Sequence, residues 1–201
     1  MPSNLSQANL VVELRSIVEP LVLQDLFVTP QPLEVELGCG DASFLLEWAQ
    51  SHPETNFIGV ERLLGRITKL DRKGRRAGLK NLRGVRIESA YFLQYLLPLH
   101  SAGAIHIYFP DPWPKKRHHK NRLINEHFPA LARAALVANG KVFLRTDDVP
   151  YFAQMTEVFA ADKGFETIET PAALAAVFTD FEKGFHARGI HTLRAAYQLT
   201  A

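Results

Sequence analysis

The chain is poor in the residues that build covalent or metal-centred scaffolds. Of its 201 residues, one is cysteine, Cys39, and two are methionine. A single thiol excludes an internal disulfide and fits a reducing compartment, so a cytoplasmic protein is expected. No CxxC or HExxH spacing occurs. The eight histidines are scattered apart from His118-His119, so no metal site is expected. No run of eighteen apolar residues is present, which argues against a transmembrane helix and a membrane partner. Residues 1–7 lack the basic start and apolar stretch of a secretory leader. Residues 1–32 contain one cation, Arg15, and neither internal repeats nor low-complexity segments appear.

What is present is the composition of a soluble globular domain, 47% hydrophobic and 22% charged, in a length that suits one domain with a sizeable core. The net charge of +2 hides a strong segregation. Residues 62–86 carry ten Lys/Arg against one acid, Asp71, and residues 111–122 carry five against Asp111, giving +9 and +4. The remainder holds 8 basic and 19 acidic residues, or −11. A charge run is ordinarily a solvated helix face. Two runs from separate parts of an otherwise acidic chain favour a positive field that attracts a polyanion.

Strand-like and helix-like segments alternate. Strands are read at 33–37, 56–60, 82–88, 104–109, 141–145, 165–169 and 190–199. Helices are read at 42–50, with Asp41 as its N-cap, at 62–77, at 122–137 closed by Asn139-Gly140, and at 150–161 with Pro150 in the first turn. In the second helix Leu63, Ile67, Leu70 and Ala77 form an apolar face, and Gly74 and Gly78 weaken and end it. Residues 1–32 read as an N-terminal extension, helical and packed on a domain spanning 33–201. The alternation implies an α/β fold, a doubly wound and mostly parallel sheet with helices on both faces, whose ligands bind beyond the carboxyl ends of the strands.

Two motifs sit at such strand ends. Gly38-Cys39-Gly40 follows the first strand and permits close backbone approach to a ligand, and Glu61 ends the next strand about twenty residues on, where a carboxylate accepts bonds from ribose hydroxyls. The third glycine of a dinucleotide fingerprint is replaced by Ser43. Glu36 and Asp41 bracket the loop and would repel a pyrophosphate. They suit a ligand with a ribose, an ammonium and a sulfonium, which favours S-adenosyl-L-methionine over NAD. The alternatives are a tight turn at the glycines and a locally paired Glu36.

The second motif, Phe109-Pro110-Asp111-Pro112-Trp113-Pro114, is stiffened by three prolines and followed by Lys115, Lys116, Arg117 and Lys120. It holds a carboxylate beside an aromatic ring with cations behind it. That suits a nucleobase on a phosphate backbone, the other reading being a proline-rich turn with a solvated tail. Trp113 either stacks on a base or packs between prolines. Asp147 either meets the substrate, orients Lys115, or caps the helix at Pro150. Thr179-Asp180-Phe181-Glu182 is either a substrate loop or a helix start with a capping box, and both can hold together.

These motifs, in this order over residues 33–198, resemble the tRNA (guanine-N7-)-methyltransferase family, and the PDPWPKKRHH stretch is highly specific. The resemblance implies the Rossmann-like class I methyltransferase fold, S-adenosyl-L-methionine as cofactor, and transfer of its methyl group to N7 of guanosine 46 in the tRNA variable loop. It implies cofactor binding by Glu36, Gly38, Gly40, Glu61, Ser89 and Asp111, a catalytic role for Asp111, and substrate binding by Lys115, Asp147, Thr179, Asp180, Phe181 and Glu182. Position 89 departs from the family's usual Asp or Asn, and residues 1–32 depart from the basic arm of many relatives. The partner implied is tRNA, with the protein a monomer or homodimer. Guanine N7 has a free lone pair and no proton, so transfer to it needs alignment and electrostatics rather than a strong base. Rival readings are another S-adenosylmethionine enzyme acting on a different RNA, a tRNA-binding protein without catalysis, and an NAD enzyme.

Overall fold

The computed structural model describes residues 9–200; expectations that concern residues 1–8 and 201 lie outside them. The expected helix of the N-terminal extension is not formed over residues 9–32. That stretch contains one helical turn, α1 (Leu23–Leu26), and otherwise follows an irregular path. Pro20, Pro30 and Pro32 and the β-branched pairs Val11-Val12 and Ile17-Val18 disfavour a helix there. The backbone is satisfied from outside the segment instead. Val12 N–H donates to Gly84 O at 2.8 Å, Gly84 N–H to Leu10 O at 2.9 Å, and Leu10 N–H to Asp71 Oδ1 at 2.8 Å. The extension thus covers the edge of the sheet, where strand groups would otherwise lack partners.

Seven strands form one sheet: β1 (Leu33–Leu37), β2 (Asn56–Val60), β3 (Leu82–Val85), β4 (Ala102–Tyr108), β5 (Leu136–Thr146), β6 (Phe165–Ile168) and β7 (Leu193–Leu199). Their order is β3-β2-β1-β4-β5-β7-β6, and β7 alone runs antiparallel to its neighbours. Helices α2 (Ser43–Ser51) and α3 (Leu64–Arg76) cover one face together with α7 (Ala172–Ala176). On the other face lie α4 (Ser89–Tyr91), which runs on into a wide turn at Phe92–Leu96, then α5 (Phe128–Ala135) and α6 (Val149–Ala161). An eighth helix, α8 (Asp180–His186), lies before β7. The expected doubly wound, mostly parallel α/β architecture is therefore the observed one. Among the described residues no helix is long and apolar enough to cross a membrane.

Three local expectations are corrected. The single helix read at 122–137 is a loop over 122–127 followed by α5, which has Pro129 in its first turn, and residues 136–137 already belong to β5; a 3-10 turn at Lys116–Asn121 precedes the loop. Proline has no N–H and clashes with the carbonyl four residues back, so the helix begins just before it. Asn139-Gly140 then lies within β5 rather than at a helix end. In α3 the buried face is Ile67, Leu70 and Gly74, while Leu63 and Ala77 are exposed. Gly74 is a close-packing position, since a Cβ there would stand 2.6 Å from the Leu10 side chain. Finally, Asp41 does not cap α2; Ala42 is the residue before its first turn.

The two faces of the sheet differ in chemistry, following the period-two alternation of strands. One face presents Val35, Leu37, Ile58, Val60, Ile105, Ile107, Val142 and Leu144 to the apolar core. The other presents Glu34 and Glu36 of β1, His106 and Tyr108 of β4, Arg145 of β5 and Arg194 of β7, in matching register. Between them and α2 and α3 lies Gly59. A Cβ at Gly59 would stand 2.8 to 2.9 Å from Leu70 Cδ1, Cys39 Sγ and Leu45 Cδ2. Gly59→Ala is therefore expected to destabilise the fold by about 1–3 kcal/mol through overpacking. Gly65→Ala, in open space on α3, is expected to stabilise it by up to about 1 kcal/mol through helix propensity. Denaturant midpoints of the two variants should move in opposite directions.

Candidate active site

The strand order reverses between β1 and β4, and the loops that leave these two strands diverge there. A cavity of about 300 Å³ opens at that point, walled by Glu36, Gly38, Cys39, Gly40, Asp41, Ser43, Arg66, Tyr108, Phe109, Asp111, Thr179 and Phe181.

The glycine loop turns through three left-handed residues in alternation, Gly38 (φ 74°), Gly40 (φ 56°) and Ala42 (φ 61°). Glycine takes this conformation without strain, which explains two of the three. Its amides are used within the protein. Gly38 and Cys39 N–H donate to Val60 O at 2.8 and 2.9 Å, and Ala42 N–H donates to Cys39 O. Gly40 N–H donates to Glu61 Oε2 at 3.2 Å, and the other oxygen of Glu61 accepts from Leu63 N–H at 2.7 Å. No nest of free amides is left for a diphosphate. Asp41 bonds Lys73 Nζ at 2.7 Å. Burial works to raise the Asp41 carboxyl, but Lys73 and the Ser43 amide hold it below its ordinary value.

Glu36 is the exception in this accounting. It is 3% exposed, and its Oε2 has no hydrogen-bond partner. Burial pushes its carboxyl well above the ordinary range, Arg145 opposes the shift, and Asp41 and Glu61 add to it. A buried acceptor left unpaired is costly and calls for a donor. Here the acceptor lines the cavity, so it favours a ligand that is cationic and carries N–H groups. Cys39 beside it is raised in the same way by burial and by Glu36 and Glu61, and so stays a thiol.

On the opposite wall the loop after β4 is held in a strained form. Phe109 (φ 52°) and Trp113 (φ 45°) are left-handed non-glycine residues on either side of Asp111. Asp111 Oδ1 accepts the Trp113 N–H at 3.1 Å, an Asx turn that leaves its other oxygen exposed. The expected turn role and a place on the cavity wall thus coexist. Arg122, from the basic run, is 3% exposed. It donates to Pro112 O at 2.8 Å and to Gln154 Oε1 at 2.7 Å, with its guanidinium 4.7 Å from the Tyr151 ring centre. It clamps the loop, while Lys115, Lys116, Arg117 and Lys120 remain exposed. Trp113 packs edge-on to His118, with ring centres 5.9 Å apart.

Beneath the cavity lies a buried network that sequence reading missed. Arg145 is 1% exposed, with its guanidinium 4.2 Å from the Tyr108 ring centre. It donates to Glu182 Oε2 at 2.8 Å, Val177 O at 2.7 Å and Leu174 O at 2.6 Å. Behind Tyr108, its hydroxyl meets His106 Nδ1 at 2.7 Å. His106 Nε2 meets Glu34 Oε2 at 2.9 Å, and the same oxygen accepts from Trp48 Nε1 at 2.9 Å. A carboxylate only accepts, so a neutral His106 carries its proton on Nε2 and Tyr108 donates to Nδ1. The only sequence sign of Arg145 was an arginine directly after the apolar run Val142-Phe143-Leu144.

Of the residues singled out from sequence, Glu36, Gly38, Gly40, Asp111, Thr179 and Phe181 share the cavity wall, and Glu61 braces it through Gly40. Glu182 lies beneath the wall, fully buried, with its carboxyl held below the ordinary range by Arg145 and Arg194 against the effect of burial. The capping box is present: Glu182 N–H donates to Thr179 Oγ1 at 3.0 Å and Thr179 N–H to Glu182 Oε2 at 3.1 Å. Asp180 is exposed at the rim, where its N–H meets Ser43 Oγ at 3.1 Å. Ser89, Lys115 and Asp147 lie outside the cavity wall. Asp148, rather than Asp147, caps α6, accepting from Tyr151 N–H at 2.7 Å.

Residues 30–195 match a methyltransferase family. The chain is 37% identical over 149 residues to the tRNA (guanine-N(7)-)-methyltransferase of Chromohalobacter salexigens, a match that covers 74% of this chain but 61% of that protein. It is 32% identical over 189 residues to the enzyme of the same name from Vibrio cholerae, covering 91% of this chain and 79% of that one. In structure it is similar to the 16S rRNA methyltransferase KamB, with a TM-score of 0.64 and 15% identity over 89% of this chain and 93% of that one.

The state of Glu36 has a consequence for stability. Its raised carboxyl favours folding at acid pH, where it is protonated. That contribution is lost as pH climbs from the ordinary carboxylate value, about 4.3, through the raised folded-state value. Glu36→Gln removes the loss, so in thermal melts without added ligand the variant should exceed wild type by a margin that grows from pH 5 to pH 9. A margin that stays constant across that range would contradict the assignment.

Proposed function

Since the chain belongs to the tRNA (guanine-N(7)-)-methyltransferase family, we propose that it methylates N7 of guanosine 46 in the tRNA variable loop with S-adenosyl-L-methionine as donor. The observation that carries this reading is the buried, unpartnered oxygen of Glu36 at the strand-order switch point, in one cavity with Asp111. The residues fit the donor's chemistry. Glu36 would hold its ammonium and Glu61 its ribose hydroxyls, and the absence of a free amide nest disfavours the pyrophosphate of NAD. Ser89 would take the adenine end. The cofactor supplies an activated methyl group.

The protein's own contribution is positioning and charge. N7 needs no base, so Asp111 acts by accepting hydrogen bonds from the guanine edge and by offsetting the positive charge that the ring gains. The Asx turn and the Arg122 clamp hold it rigid for that task. Lys115, Lys116, Arg117 and Lys120, and the exposed cations of α3, would hold phosphates, which orient the RNA without reading its sequence. Asp147, Thr179, Asp180 and Phe181 would contact the substrate, and Glu182 would support that segment from below. The target base lies within tRNA tertiary structure and has to be exposed before transfer.

Mass spectrometry of tRNA incubated with the protein and S-adenosylmethionine should show one added methyl group on the variable-loop guanosine, and none in a transcript lacking it. Asp111→Ala should lower turnover by about 10²-fold. Near-wild-type turnover would remove Asp111 from its role. If four lysine and arginine side chains neutralise phosphates, tRNA affinity should fall roughly 10²-fold between about 50 and 200 mM salt. A flat dependence would remove the polyanion from the reading.

A further inference from the structure

Arg145 sits where neither the proposed cofactor contacts nor the proposed RNA contacts require a charge. It lies on the inner face of β5, fully buried, and a well-packed apolar residue would serve stability there at least as well. Its bonds are directed to one segment. They reach the carbonyls of Leu174 and Val177 and the carboxylate of Glu182, and Glu182 in turn bonds the Thr179 amide. Thr179 and Phe181 of this segment form one wall of the cavity.

Glu182 is shared by Arg145 and by Arg194, whose Nη2 meets Glu182 Oε1 at 2.9 Å. Arg145 alone of the two also reaches the carbonyls of Leu174 and Val177.

We propose that Arg145 is a positioning residue: it anchors the Leu174–Glu182 segment and so sets the wall that Thr179 and Phe181 present to the substrate. The role rests on the reading of this segment as a substrate wall, and the two can be separated by experiment.

The variants are Arg145→Lys and Arg145→Met in the full chain. S-adenosylmethionine affinity is followed by calorimetry at pH 7, tRNA KM by steady-state kinetics, and the 174–186 region by hydrogen exchange without ligand. Both variants should speed exchange at residues 174–186 and raise tRNA KM at least fivefold, with S-adenosylmethionine affinity within about twofold of wild type. Arg145→Lys keeps the charge but not the three-way fork, so it should rescue neither readout. Should Arg145→Met fail to fold, the lysine variant alone decides: unchanged exchange at 174–186, or an unchanged tRNA KM, overturns the proposal. If wild type itself does not methylate tRNA, the substrate reading falls, while exchange at 174–186 still decides the anchoring.

Discussion

The antiparallel register of β5 and β7 sets Arg145 directly opposite Arg194. Like charges facing each other across two strands repel, more so when buried. Glu182 resolves this by placing one oxygen on each guanidinium. The C-terminal third of the domain is arranged around that requirement. α8 must start where Thr179 can cap it and Glu182 can reach inward, and the chain from α7 to α8 must therefore cross the carboxyl end of the sheet. Phe109, in turn, packs on Phe185 of α8, with ring centres 5.5 Å apart. The strained loop bearing Asp111 and the segment bearing Thr179 are thus fastened to one another as well as to the sheet.

Around this junction the sheet divides its work between faces. The apolar side supplies the packing that holds strands and helices together. The polar side supplies a row of groups that packing alone would not retain: Glu34, His106 and Tyr108 in one hydrogen-bonded chain, Arg145, Glu182 and Arg194 in another, and Glu36 between them with an oxygen free. The cavity forms where both chains end. Its electrostatics follow from a balance in which acids outnumber cations near the glycine loop, while the exposed loops beyond the rim carry the opposite excess. Under the proposed reading, a small cationic ligand and a large polyanion would meet adjoining surfaces of one molecule.

How far the sequence disclosed this depends on the range of the interactions. The strands, the glycine loop, the acid at the end of β2 and the capping box of α8 are local patterns, and each was legible. So was the segregation of charge. The role of Glu36 was legible only in part: its alternation within Leu33-Glu34-Val35-Glu36-Leu37 reads like a strand with one wet face, yet β1 is central and Glu36 is buried. Arg145 and His106 have partners 37 and 72 residues away, and no window of sequence joins them. The N-terminal segment failed as a helix because its hydrogen bonds are made with β3 and with Asp71 of α3. The helix expected at 122–137 is shortened because Pro129 favours a helix start at Phe128 and the chain from Leu136 pairs into β5.

The division of the sheet into two faces also governs how such a domain can change over generations. Side chains alternate along the regular parts of these strands, beyond the irregularity at Ala102/Ala104, so adding or losing one residue within 34–37, 104–108 or 141–146 would exchange the faces beyond that point. Ile105 and Ile107 would move to the cavity side, and His106 and Tyr108 into the apolar core. Fold and site would be lost in a single event, with no intermediate in which one survives. Substitutions can be accepted one at a time in these strands, but insertions and deletions are confined to the connecting loops and to the strand starts, where one irregularity already sits at Ala102/Ala104. The reading frame of alternation is inherited as a unit, together with the chemistry it carries.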